Sequence, residues 1–182
     1  MAWTAPLTAV SGAALTAVQW NASVRDNLLE TAAAKATVSG GYIATAGPNQ
    51  IVERRARTDT VLVLETTTST TYTDLPTFGP SVTVETGTDA LVITHASVRN
   101  TANSGSARMA HETSGDTSIN AADNRGLGSI GAAGVGGTYS AVTLHTDGLL
   151  PLTPGTNTFT AKYRVSSGTG EFTSRRIIVL PY

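Results

Sequence analysis

Three histidines, His95, His111 and His145, are the side chains best suited to bind a metal ion or move protons near neutral pH. Each falls in a different predicted strand, and neither a His-x-His nor a His-x-x-x-His spacing occurs, so no single strand gathers two of them. They read as surface or internally satisfied strand histidines. The exception would be a symmetric trimer, where one histidine could meet its own copies on the axis with no spacing signature. Residues 126–131, GLGSIG, match G-x-G-x-x-G letter for letter. A dinucleotide site needs a hydrophobic strand before that motif and a helix after it. Here NAADNR precedes and AAGVGG follows, so the segment reads as a glycine-rich loop.

Carboxylate pairs can hydrolyse glycosides wherever two acids lie about 5–9 Å apart. The candidate acids Asp74, Glu85, Asp89, Glu112, Asp116, Asp123, Asp147 and Glu171 fall mostly in turn-like contexts. No Ser-x-x-Lys, Gly-x-Ser-x-Gly or metal motif accompanies them. The expectation is a protein that is not an enzyme, with no catalytic residue, no metal and no cofactor.

Composition points the same way. Only 14% of the 182 residues are charged and 5% are aromatic, whereas 40% are hydrophobic and 18 are glycine. Low charge with ample Val, Ile and Leu argues for folded β-structure rather than disorder. The net charge is −1, and Arg54–Arg55 and Arg175–Arg176 are the only basic doublets, so no basic face for nucleic acid is visible. No apolar run approaches the roughly 18 residues of a membrane span. The start, MAWTAPLTAVSGAAL, lacks the positive region of a secretory signal. The absence of cysteine excludes disulfides and thiolate metal sites.

The elements that must position these side chains begin with TAVQWNASVRDNLLETAAAKA, residues 16–36. Thr16 and Gln19 have capping-box spacing, and Leu15 with Trp20 has hydrophobic-staple spacing. Trp20, Val24 and Leu28 recur at i, i+4, i+8, which predicts one amphipathic helix of about 20 residues and roughly 30 Å, stopped by Ser39-Gly40-Gly41. The stripe is too short for a long coiled coil. Arg25 and Asp26 find no opposite charge at i±3 or i±4, so their partners are expected on another surface or subunit.

Residues 42–55 read as a short hairpin around Gly47-Pro48-Asn49. Strands are predicted over 60–65, 68–75, 81–85, 90–100, 107–113, 139–146 and 157–167 and at the C-terminus, with long loops across 101–137. Phe159, Ala161, Tyr163 and Val165 form a clean inward face. The expected architecture is mainly β: an N-terminal α-helix followed by an antiparallel jelly-roll-like β-sandwich. The expected organisation is an N-terminal arm and helix at 1–40, a hairpin linker at 41–59 and the β-sandwich at 60–182.

The segment LTAVQWNASVRDNLLETAAAKAT resembles the N-terminal motif of structural proteins in tailed phages and prophages of actinobacteria. There a tryptophan near the start, Trp3 here, precedes a helix matched by Trp20, Asn21, Val24, Arg25, Asp26, Asn27 and Leu28. Residues 66–92 and the C-terminal LTPGTNTFTAKYRVSSGTGEFTSRRIIVLPY are similar to β-segments of small phage fibre and head-decoration domains. The resemblance implies a homotrimer located on the virion and attached by its N-terminal part to the major capsid protein or another virion protein. It implies a capsid decoration or short head fibre; the alternative is a tail-fibre or minor tail protein binding a host surface glycan. Neither nucleic acid nor membrane is an expected partner. Leu15, Trp20, Val24, Arg25, Asp26 and Leu28 are the expected attachment and oligomer interface.

Overall fold

The computed structural model describes residues 5, 7, 8 and 10–182. The chain divides into two compact units. One comprises the described residues up to Arg55 together with Tyr182, and the other spans Ala56–Pro181.

In the first unit the capping box forms as its spacing predicts. The Gln19 backbone N–H donates to Thr16 Oγ1 at 3.2 Å, and the Thr16 N–H donates to Gln19 Oε1 at 3.0 Å. The expected single rod does not form. Helix α1, Ala17–Trp20, passes through a π-helical turn, Asn21–Arg25, into α2, Asp26–Leu29, and a separate α3 occupies Ala32–Lys35. The break lies at Thr31, whose backbone is extended and whose hydroxyl donates to the Leu28 carbonyl at 2.8 Å while accepting from the Ala34 N–H. A threonine that bonds its own neighbourhood in this way competes with the helical ladder. Strands β1, Tyr42–Gly47, and β2, Gln50–Arg54, pair antiparallel, with Asn49 in the left-handed region at the turn. The Glu53 carboxylate ties the hairpin to the end of the helical segment by accepting the Thr37 and Val38 N–H groups and the Thr37 hydroxyl.

The second unit is a two-sheet β-structure whose pairings are all antiparallel. A four-stranded sheet has the order β5 (Ser81–Thr86), β10 (Gly155–Val165), β7 (Ser106–Gly115), β8 (Gly126–Ile130). A five-stranded sheet has the order β3 (Arg57–Val61), β11 (Gly170–Pro181), β6 (Ala90–Asn100), β9 (Gly136–His145), with β4 (Glu65–Thr67) also on β11. The core between them is filled by alternate residues of both sheets: Val92, Ala96 and Val98 from β6, Ile177 and Val179 from β11, and Phe159, Ala161, Tyr163 and Val165 from β10. That last set is the inward face expected from the alternation.

Three local expectations are corrected. The run 60–65 is not one strand. β3 stops at Val61, and Leu62, Val63 and Leu64 are exposed where β11 carries a bulge between Thr173 and Arg176. Residues 68–75 do not form a strand: they meet β10 by an isolated bridge from Thr73 to Tyr163 and by the Ser69 carbonyl accepting from the Val165 N–H, while Ser69 and Thr71 bond each other in a local turn. The GLGSIG segment is a strand, not a loop. Gly126 packs so close to the Met109 carbonyl and Ala110 that a side chain would have no room, which is why glycine can occupy β8 there.

Candidate functional site

Two features merit attention: the N-terminal helical segment, and a histidine pair inside the β-domain.

On the helical segment, the expected interface residues carry large apolar surface into the open. Leu15, Trp20 and Leu28 are 53%, 56% and 61% exposed, and Val24 is half-buried. The buried positions are instead Asn27 and Glu30, which the apolar stripe does not identify. Asn27 Nδ2 donates to the Ser23 carbonyl at 3.0 Å, and Glu30 pairs with Lys35 at 3.1 Å. The expectation that Arg25 and Asp26 lack a partner on their own helix is overturned. Arg25 Nη2 lies 2.7 Å from Asp26 Oδ1, and its Nε donates to the same oxygen. The two adjacent side chains meet where the π-helical turn passes into α2. The pair is solvent-exposed and contributes little to stability.

The histidines separate into two groups. His95 lies on the outer face of the five-stranded sheet, with Nδ1 2.8 Å from Ser140 Oγ. His111 on β7 and His145 on β9 point inward from opposite sheets and meet with their Nε2 atoms 3.0 Å apart. They are 1% and 0% exposed, and both rings pack near Phe159 with centroids at 6.0 and 5.8 Å. His145 Nδ1 lies 3.0 Å from the Leu150 carbonyl, which can only accept, so Nδ1 carries the proton. In a neutral ring Nε2 is then bare and accepts from His111 Nε2–H. The bare nitrogen of His111 is Nδ1, and it is a buried atom with no hydrogen-bond partner. One tautomer is thereby assigned to each ring.

Electrostatics agree with two neutral rings. Burial, then His145, then Arg125 push His111 down to about 3. Burial lowers His145 as well; its hydrogen bond to Leu150 opposes this, and Arg125 adds to it. Among the described residues no cluster of three or more His, Cys, Asp or Glu is placed to hold a metal. The nearby Arg125 guanidinium further disfavours a cation at the pair.

The acids are engaged structurally rather than paired with one another. Asp74 and Glu112 share Lys162 at 2.9 and 3.0 Å; Asp123 binds Arg164 and the Tyr72 hydroxyl; Glu171 binds Arg99; Asp116 accepts the Thr156 N–H at 2.7 Å. Arg99 and Glu171 line an open groove of about 420 Å³ on the five-stranded sheet, together with Leu64, Ser97 and Thr138. Further along the same outer face, cross-strand neighbours form an uncharged patch. Leu91 lies beside Leu144 and Leu180, and Ile93 beside Val142 and Ile178, with Val142 64% exposed. No helix among the described residues is long and apolar enough to cross a membrane.

No protein-family model matches the sequence, and no curated protein is similar to it. Among solved structures, the infectious bursal disease virus VP2 subviral particle protein matches with a TM-score of 0.51 at 11% identity, over 81% of this chain and 41% of that one. The likeness is one of fold. The β-structure resembles a domain of a viral capsid protein, and this chain spans well under half of that protein's length. A second structure of that virus, the Gt strain, matches at 10% identity with a TM-score of 0.48, over 80% of this chain and 41% of that one. The Eiger TNF of S. frugiperda aligns over 67% of this chain and 93% of its own at 7% identity, with a TM-score of 0.31. Neither of these two adds to the argument.

Proposed function

We propose that the chain is a non-enzymatic structural protein on the surface of a tailed-phage virion, attached through its N-terminal region as a trimeric capsid decoration or short head fibre. The observation that carries this reading is a two-sheet β-domain with the fold of a viral capsid-protein domain, in a chain whose N-terminal helical segment leaves Trp20 and Leu28 more than half exposed. Covering the apolar side chains of that segment contributes about 1.5–3 kcal/mol each when burial is complete. Three copies per assembly turn such modest contacts into lasting attachment. Leu15, Trp20, Val24 and Leu28 form the docking face, with Arg25 and Asp26 as its polar rim. The uncharged patch at Leu91, Ile93, Val142, Leu144, Ile178 and Leu180 supports self-association, because a second copy opposes it without burying a charge.

Mass photometry of the purified chain, with and without capsids assembled from the major capsid protein, tests the reading. A trimer that binds capsids is expected, and a monomer that never binds them overturns it. A second reading, a tail protein that contacts a host glycan, is favoured by the open groove at Arg99 and Glu171. It predicts that the chain binds host cell walls and loses that binding in Arg99→Ala.

A further inference from the structure

The two imidazoles at the centre of the β-domain have only one protonation state that suits their surroundings. His145 donates through Nδ1 to Leu150, His111 donates through Nε2 to His145, and His111 Nδ1 faces no acceptor. A proton added to His111 would place an N–H at that buried nitrogen with nothing to receive it. A proton added to His145 would set two N–H groups head to head across 3.0 Å. Either event leaves an uncompensated buried charge. The surroundings supply no relief. β7 and β9 bring the two rings, β10 brings Phe159, and the loop after β9 brings the Leu150 carbonyl. The 3-10 turn Asp123–Arg125 brings the cationic Arg125, and among the described residues no carboxylate acts on either ring.

We propose that the His111–His145 pair is an acid-sensitive latch between the two sheets, stabilising the domain while both rings are neutral and destabilising it when either takes up a proton. The location gives it leverage. β7 belongs to the four-stranded sheet and β9 is the edge of the five-stranded sheet, so a charge buried at the contact acts between the two sheets at an edge. The latch acts whatever particle carries the domain. It makes that domain more stable at neutral pH than in an acidified compartment.

The sign follows from linkage. Both folded-state values lie below the ordinary histidine value of 6.5, so below that pH the unfolded chain binds protons that the folded chain refuses. The stabilisation is complete above pH 6.5 and is lost as pH falls toward the folded values. His111, pushed down to about 3, lowers the folding equilibrium constant by about tenfold between pH 7.5 and 5.5, and the lowering of His145 adds to that loss. This window lies above the range in which unfolded carboxylates titrate.

The test is denaturant unfolding of the whole chain at pH 7.5, 6.5 and 5.5, beside a His111→Leu/His145→Leu variant. The wild type is expected to lose about tenfold or more in its folding constant, with that loss largely absent from the variant. A wild-type change below tenfold, or a variant with the wild-type slope, overturns the proposal. If the double variant does not fold, calorimetric unfolding of the wild type at pH 5.5 in buffers of different ionisation heat decides. Uptake of about one proton or more is expected, and uptake well below one overturns the latch, as would NMR titration of either ring above pH 6 in the folded protein.

Discussion

Arg175 and Glu65 form an enclosed ion pair at the bulge of β11, with Arg175 Nη2 2.7 Å from Glu65 Oε2 and side-chain exposures of 0% and 11%. The guanidinium also lies over the Tyr163 ring at 5.3 Å, while its Nε and Nη1 have no acceptor. Burial alone would raise the Glu65 carboxyl. The Thr77 hydroxyl and N–H, and then Arg175, outweigh burial and hold it below its ordinary value.

Removing one partner of such a pair is costly because the other charge stays buried. Glu65→Ala is expected to destabilise the β-domain by about 3–5 kcal/mol. Adding Arg175→Met to it should recover part of that loss, since the stranded cation is then gone. Guanidinium denaturation of the two single variants and the double variant measures the coupling.

On the helical segment, Val24→Asp places a charge in the middle of the proposed docking face. The variant should be lost from assembled particles while its far-ultraviolet circular dichroism remains that of a folded β-domain. Unfolding of the β-domain together with loss of binding would show the helix to be part of the core instead.

The glycines of GLGSIG should respond in opposite ways. A side chain at Gly126 meets the Met109 backbone, so Gly126→Ala is expected to cost about 3 kcal/mol, the upper end of the overpacking range. Gly131 has nothing within 4 Å of an added Cβ and no positive φ, so Gly131→Ala should be neutral or stabilise by about 0.4–1 kcal/mol. Thermal melts of the two variants suffice.

At the alkaline end the tyrosines dominate. Tyr72 is pushed up to about 12, by burial first and then by its hydrogen bond to Asp123. Tyr163, which donates to the Gly79 carbonyl at 2.9 Å, is raised as well, chiefly by burial. A phenol raised in the fold is refused ionisation there but not in the unfolded chain. Its stabilisation is therefore complete below pH 10 and lost as pH rises above it, by up to about tenfold per pH unit for each ring. Ultraviolet titration should show these two rings ionising only above pH 10 while the chain stays folded.

Much of the architecture was legible in the residues. The alternation of Phe159, Ala161, Tyr163 and Val165 needs only the two-residue period of a strand, and all four are buried. Thr16 and Gln19 cap the helix because a capping box is a local arrangement that no distant contact has to complete. The errors came where tertiary context overrode local pattern. Leu62, Val63 and Leu64 look like strand core, yet they fall where β11 bulges to seat Arg175. The glycines of β8 look like loop, yet they admit the close approach of β7.

From the sequence by itself followed a mainly β chain with a capped N-terminal helix, which face of the strand over 157–167 turns inward, and the lack of a recognisable catalytic motif. These are short-range properties, set by periodicity, capping and turn chemistry within a few residues. Only the tertiary structure decided that His111 and His145 meet. Their strands lie in different sheets, and alternation tells each residue which face it occupies but not which residue it finds across the core. That depends on how the two sheets stack and twist, which no spacing between the two histidines encodes.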